Sequence, residues 1–232
     1  MIKIGLFLIA SKYVDSLNFD SKTTQAPYQF DPRIHNFGNV GVGGMFHSFL
    51  ARPFTKLIDL AAYDGRNIRV DIIKNLKIEK PKFVADFCSG TGTSTEALRE
   101  CFKDAVVTGV DTSREMLRVA KFFTKNINYL EDNAETVELE TKQDLIAIMF
   151  SLHEIPQEFR IIILENIKKN LKDDGKMLIV DIDTSYIPSE SMLSGEPYVQ
   201  DYLKNIDNDV LKVFPKSIKE VYIEGHVRIW RS

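Results

Sequence analysis

Residues Phe83–Leu98 read FVADFCSGTGTSTEAL. The run Phe83–Phe87 is apolar except for Asp86 and predicts a strand. A loop of small residues follows, Ser89-Gly90-Thr91-Gly92. Thr93 and Glu96 then have the T-x-x-E spacing of a capping box, in which each side chain satisfies a free backbone N–H at a helix start. Ala97, Leu98, Cys101 and Phe102 share one helical face. Strand, glycine turn and helix is the order in which an open α/β sheet builds a ligand crevice at the carboxyl ends of its strands.

Asp86 narrows the ligand. A loop that cradles phosphate offers N–H groups and a positive helix end to an anion. A carboxylate just before the loop would repel a pyrophosphate and favour a ligand with a cationic group. Gly90 and Gly92 lack a Cβ and permit close backbone approach. The third glycine of G-x-G-x-x-G is replaced by Thr95, and no Gly-Lys-Ser/Thr is present. These features point away from NAD and ATP and toward a small zwitterionic nucleoside.

A length of 232 residues suits one domain with a full core. Hydrophobic content of 44% and charged content of 27% are ordinary for a soluble globular chain. A net charge of -3 and a pI near 5.9 supply no basic field for nucleic acid. The two cysteines, Cys88 and Cys101, fall in the glycine loop and the following helix. No structural disulfide is expected, and a reducing, cytoplasmic compartment fits. Met1–Ala10, MIKIGLFLIA, is too short to span a bilayer and makes a poor secretory signal. It is expected to be a buried strand or an ordered N-terminal arm.

Residues 11–52 show little periodicity and are expected to be loop. Their aromatics, Tyr13, Tyr28, Phe30, Phe37 and Phe46, suggest a lid over a site. The glycine cluster Asn36–Gly44 follows no clear strand and is not read as a nucleotide loop. His35 and His47 read as surface or packing residues. Helical spacing runs over Thr55–Tyr63 and Asn67–Leu76, and Pro81 ends it. Ala105–Val110 is the second strand. It ends at Asp111, nineteen residues beyond Gly92. Alone, Asp111 reads as a turn or cap residue. With the loop at this spacing, it is placed to accept the hydroxyls of a ribose. Thr112 and Glu115 repeat the capping-box spacing, and Met116, Leu117, Ala120 and Phe123 face one way.

Ile127–Leu130 is a short third strand, followed by Glu131-Asp132-Asn133-Ala134-Glu135, whose polar groups suit the edge of an adenine. Asp144–Phe150 is the fourth strand, Gln157–Leu171 a helix, Asp174-Gly175 a turn and Lys176–Ile182 the fifth strand. Strands alternating with helices imply a parallel sheet with right-handed crossovers. A helical stripe from Tyr198 to Leu211 follows. Ile218–Ile223 and Val227–Trp230 around Glu224-Gly225-His226 then read as a hairpin, which adds an antiparallel pair.

Taken in order, these segments resemble the class I S-adenosylmethionine-dependent methyltransferases. VADFCSGTGTST is similar to that family's first motif, GVDTSREML to the second, EDNAE to the third, DLIAIMFSLHEIP to the fourth and LKDDGKMLIVDID to the fifth. The resemblance covers roughly Ile72 to Asp183, and the final hairpin in outline. Cys88 stands where the family often has its first glycine. The resemblance implies an α/β fold, a Rossmann-like, doubly wound, mostly parallel seven-stranded sheet with a C-terminal antiparallel hairpin. It implies a methyltransferase domain over 71–232, with 1–70 as an extension or lid of the same domain.

The resemblance also implies S-adenosylmethionine as cofactor. Asp86, with the loop Ser89, Gly90, Thr91 and Gly92, would hold the methionine end, and Asp111 the ribose. Thr112 and Met116 would lie along the adenosine. Asn133 stands where the family often has Asp, and would bond the adenine amine with the Ala134 backbone. Phe150 and Ser151 would line the methyl-transfer face.

The donor methyl of such a cofactor is already activated, so the protein has to align an acceptor and exclude water. If a general base is needed, His153 is the candidate by position and by its accessible pKa; otherwise it caps a helix or positions substrate. His153-Glu154 is not H-E-x-x-H, and no metal is expected. The string S-L-H-E-I-P resembles a subgroup with H-E-L-P at this place. The Asp/Asn-Pro-Pro-Tyr/Phe motif of adenine and glutamine methylation is absent. Neither cysteine fits a cytosine-attacking nucleophile, and no basic aromatic patch suggests RNA. The expected acceptor is a small molecule, shaped by the first seventy or so residues and by the loop from Thr184 to Pro197. Two alternatives stay open: a non-catalytic S-adenosylmethionine-binding regulator, and an NAD-dependent oxidoreductase, which Asp86 and Thr95 disfavour.

Overall fold

The computed structural model describes residues 28–30 and 41–232. The apolar N-terminus, Tyr13, His35, Phe37 and the first part of the glycine cluster lie outside the described residues, as do the side chains of Phe30, Phe46 and His47. Tyr28–Phe30 is a 3-10 turn. It is followed by α1 (Gly41–Ala62), α2 (Ile68–Asn75), β1 (Phe83–Phe87), α3 (Thr93–Cys101), β2 (Val106–Asp111), α4 (Arg114–Phe123), β3 (Asn128–Glu131) and β4 (Gln143–Met149). A 3-10 turn at Leu152–Glu154 leads into α5 (Gln157–Asn170) and β5 (Leu171–Ile182). The chain ends with α6 (Glu190–Gly195), α7 (Val199–Val213), β6 (Ile218–Ile223) and β7 (Val227–Arg231).

The seven strands form one sheet of order β3-β2-β1-β4-β5-β7-β6. The first five run parallel and β7 runs antiparallel to β5, pairing Trp230 with Ile179. Helices cover both faces, so the central strands are apolar throughout rather than alternating. On one face Phe87, Val110, Ile146 and Ile148 pack with Ile163, Ile167, Tyr202 and Trp230. On the other, Val84, Val107, Leu145 and Leu178 pack with Ile72, Ile73 and Leu98. Each fully buried aliphatic side chain here stabilises the fold by roughly 1.5–3 kcal/mol.

Four expectations need correction. The helix read from Thr55 begins at Gly41, so 41–52 is not loop. Gly43, Gly44 and Pro53 weaken the sequence signal, but tertiary contacts hold α1 against α3 and α4. Arg52 bonds the Thr91 carbonyl at 3.1 Å, pairs with Glu96 and lies 5.0 Å over the Phe123 ring. Neither capping box forms. The residue before α3 is Gly92, in the left-handed region at φ 80, and Glu96 is taken by Arg52. The cap of α4 is Ser113, which accepts from the Met116 N–H at 3.2 Å. Finally, β5 starts at Leu171, and α6 forms within the expected loop, capped by Ser189. Among the described residues no helix is long and apolar enough to cross a membrane.

Gly92 and Gly90 do different work. A Cβ at Gly92 would run into Tyr129 Oη and come within 3.0 Å of the Ala120 Cβ, whereas one at Gly90 would meet nothing within 4 Å. Tyr129 Oη is itself tied to Thr124 Oγ1 at 3.1 Å. Gly92→Ala should therefore destabilise the fold by about 1–3 kcal/mol, through overpacking and a positive φ. A urea titration checks this. Gly90→Ala shares only the strained φ and should lose less stability.

Candidate active site at the carboxyl ends of the strands

A cavity of about 610 Å³ opens where β1, β2, β4 and β5 end. The loop after β1 builds one wall. Cys88 leaves the strand at φ 58, the Ser89 N–H donates to the Val110 carbonyl at 2.9 Å, and the Gly92 N–H returns to the Ser89 carbonyl at 2.8 Å. The Gly90 N–H donates to Asp111 Oδ2 at 2.7 Å, and the Ser113 N–H to Asp111 Oδ1 at 2.8 Å. Asp111 is thus fixed by one N–H from its own loop and one from the neighbouring loop. Two bonds leave half of a carboxylate's roughly four acceptor positions open. Burial raises its pKa and the two N–H bonds oppose that rise.

Ser89, Gly90, Thr91, Asp111, Thr112, Met116, Asn133, Ala134, Phe150, Ser151 and His153 all line this cavity. Asp86 and Gly92 do not. Asp86 lies fully buried beneath the loop, where its Oδ2 accepts from Thr95 Oγ1 at 2.6 Å and its Oδ1 has no partner among the described residues. Burial lifts its pKa to about 7, against the Thr95 bond. Thr95, where a dinucleotide loop has glycine, therefore serves Asp86. Asn133 Oδ1 accepts from the Glu135 N–H at 2.9 Å, so its amide NH₂ is the less committed end.

Phe150 leaves β4 at φ 56, with its N–H held by the Val180 carbonyl at 2.8 Å. Next to it, His153 Nδ1 lies 2.5 Å from Asp181 Oδ1. Its Nε2 lies 3.3 Å from Glu196 and 3.8 Å from Glu154. Asp181 is oriented by the Leu152 and Ile182 N–H groups, at 2.9 and 2.8 Å. Burial opposes charge on His153, but Asp181, followed by Glu196 and Glu154, outweighs it and lifts the pKa to about 10. An imidazole that keeps its proton at neutral pH is not poised to accept another. Of the roles left open by the sequence, this geometry suits a positioning group better than a general base.

The raised pKa means that the folded state binds this proton more tightly than the unfolded chain, where it titrates near 6.5. The resulting stabilisation is complete below about pH 6.5 and is lost as the pH rises through about 10. The His153 ring signals in proton NMR should stay at their protonated position through pH 8. Denaturation midpoints should fall toward pH 10 more steeply than in His153→Gln.

Sequence reading passed over Asp181 inside an apolar strand, Glu196 inside a loop, and Tyr63, Arg69 and Tyr186, all but Asp181 on the cavity wall. Asp181 lies within the fifth motif but was given no role there, the others belong to no motif, and only the folded chain brings them near Phe150 or His153.

Residues 84–175 match the family model of a methyltransferase domain. Over 63 residues the chain is 41% identical to a trans-aconitate 2-methyltransferase of Rhodopseudomonas palustris (strain BisB18), covering 27% of this chain and 25% of that protein. Over 171 residues it is 28% identical to a ubiquinone biosynthesis O-methyltransferase of Coxiella burnetii (strain Dugway 5J108-111), covering 70% of each. The chain thus spans a quarter of the first relative's length and about two thirds of the second's. Its fold is similar to that of the plantazolicin methyltransferase BpumL in complex with SAH, with TM-score 0.54, 15% identity, and 81% of this chain and 93% of that one covered.

Proposed function

From the premise that this chain carries a class I S-adenosylmethionine-dependent methyltransferase domain, we propose that it transfers a methyl group from S-adenosylmethionine to a small-molecule acceptor. One observation carries the reading. A single cavity joins the Gly90–Asp111 corner to a pocket walled by Phe150, Tyr63 and His153. The residues fit such a cofactor. Asp111 is held with acceptor positions open, and Gly90 leaves space where a side chain would stand.

In this reading Asp111 would accept the ribose hydroxyls, and the Ser89–Thr91 backbone would take the methionine carboxylate. Thr112 and Met116 would flank the adenosine. Asn133 and Ala134 would meet the base edge. Asp86 would act on the cationic end through the loop rather than by direct contact. When bound, S-adenosylmethionine supplies a methyl group made electrophilic by its sulfonium. The chain's own task is to orient and enclose. Phe150 and Tyr63 exclude water from the acceptor side, and His153, held by Asp181, orients what lies beside it. Residues 41–70 supply part of that wall through Thr55, Ile58, Tyr63 and Arg69, and we take them as part of the same domain. A cytoplasmic location belongs to the same proposal and is supported by two unpaired cysteines.

Calorimetry with S-adenosylmethionine and S-adenosylhomocysteine tests the cofactor, and release of S-adenosylhomocysteine in the presence of candidate acceptors tests the reaction. Micromolar binding with turnover supports the proposal. Binding without turnover across a broad acceptor screen would favour a non-catalytic regulator, and no binding by folded protein would refute the reading.

A further inference from the structure

The cavity wall around Phe150 carries polar groups that the cofactor reading does not use. Arg69 is buried, with 7% of its surface exposed, and its guanidinium lies 4.7 Å over the Phe150 ring. Asp59 takes both of its bonds from Nη1, at 3.0 and 3.2 Å, and Nε is buried with no partner. Among the described residues the Nε–Nη2 edge, the edge that grips a carboxylate with two parallel bonds, therefore has no acceptor. Tyr63 is within electrostatic reach of Arg69 and Tyr186. Both tyrosines line the cavity, and neither hydroxyl donates a bond among the described residues. Of these donors Arg69 Nε is the one that is buried without a partner among the described residues, and leaving such a group unpaired is costly. Nearby, Ile182, Met192 and the Phe150 ring offer apolar contact. The acidic groups of this region are already engaged, Asp59 with Arg69, and Asp181, Glu154 and Glu196 with His153.

We propose that Arg69 is a specificity residue that binds a carboxylate of the acceptor, with Tyr63 and Tyr186 as further donors, so that the acceptor is a small, largely apolar or aromatic carboxylic acid. This rests on the methyltransferase reading. It sets the acceptor's class and places its anionic end beside Phe150.

The test uses the full chain, labelled S-adenosylmethionine, and a panel of aromatic and aliphatic carboxylic acids, each paired with its neutral amide. Methyl transfer to acids is expected, with kcat/KM at least tenfold above the matched amide. Arg69→Gln should lower kcat/KM for acids by roughly ten- to a hundredfold, the worth of a charged hydrogen-bonding group. The same change should lower amide turnover much less than acid turnover, and leave the Kd for S-adenosylhomocysteine within about twofold. Arg69→Lys keeps the charge without the fork and should recover only part of the loss. The acid-to-amide ratio of the unmodified protein stands even if Arg69→Gln folds poorly. Equal use of acids and amides, an equal loss for both in Arg69→Gln, or rejection of every acid by protein that binds S-adenosylhomocysteine would overturn the proposal. Failure to bind S-adenosylhomocysteine would overturn the methyltransferase reading as well.

Discussion

Asp111→Ala should weaken S-adenosylmethionine and S-adenosylhomocysteine binding by roughly a hundredfold, while the protein stays folded. The carboxylate ties the loop after β1 to the turn after β2, through the Gly90 and Ser113 N–H groups. Removing it takes away the proposed acceptor of two ribose hydroxyls. Hydrogen bonds to a charged group contribute about 1.5–3 kcal/mol each, so losing even one bond accounts for most of a hundredfold. The substitution also frees the two backbone N–H groups, which should loosen Gly90. Asp111→Asn keeps one acceptor oxygen and should fall between the two. Calorimetry on the three proteins checks the order. If alanine binds as tightly as aspartate, Asp111 is a loop tie and no more.

Arg160→Met should be the most destabilising of these substitutions, by about 3–5 kcal/mol, the cost of leaving a buried charge without its partner. Arg160 is fully buried on α5. It donates to Asp209 Oδ2 at 3.0 Å, to the exposed side of the network at Asp201 Oδ2 at 2.7 Å, and to the Ile155 carbonyl at 2.7 Å. Asp209 is nearly as deeply buried and would keep only Gln157, at 2.8 Å. At roughly 2–4 °C per kcal/mol for a chain of this size, the Tm should fall by about 10 °C. The double variant Arg160→Met, Asp209→Leu removes both charges and should recover much of the loss, because a well-packed apolar pair often matches a buried ion pair. No recovery would mean that the Ile155 contact, which holds the turn carrying His153, is the main contribution.

The cavity wall at the Gly90 loop and Asp111 was legible in the sequence residue by residue, whereas the wall around Phe150 was legible only as the segments that contribute to it. Asp111 and the Gly90 loop lie at strand ends, and the strand period and glycine spacing mark strand ends locally. The apolar runs of β1, β2, β4 and β5 give the parallel sheet for the same reason: burial on both faces demands continuous hydrophobicity. Caps were misread because T-x-x-E spacing only permits a capping box. The competing partner of Glu96 is Arg52, on a helix forty-four residues earlier in the chain. In sequence His153 reads either as a base, because its ordinary pKa suits one, or as a cap or positioning residue. Its neighbours Asp181 and Glu196 come from β5 and the end of α6, and only their convergence holds the proton in place. Local pattern thus determined the strands, the glycine loop and the second-strand acid. Tertiary structure alone decided which glycine packs against Tyr129, which carboxylates surround His153 and which face of Arg69 is left without a partner. Those outcomes depend on distances between segments far apart in the chain, and no local periodicity encodes them.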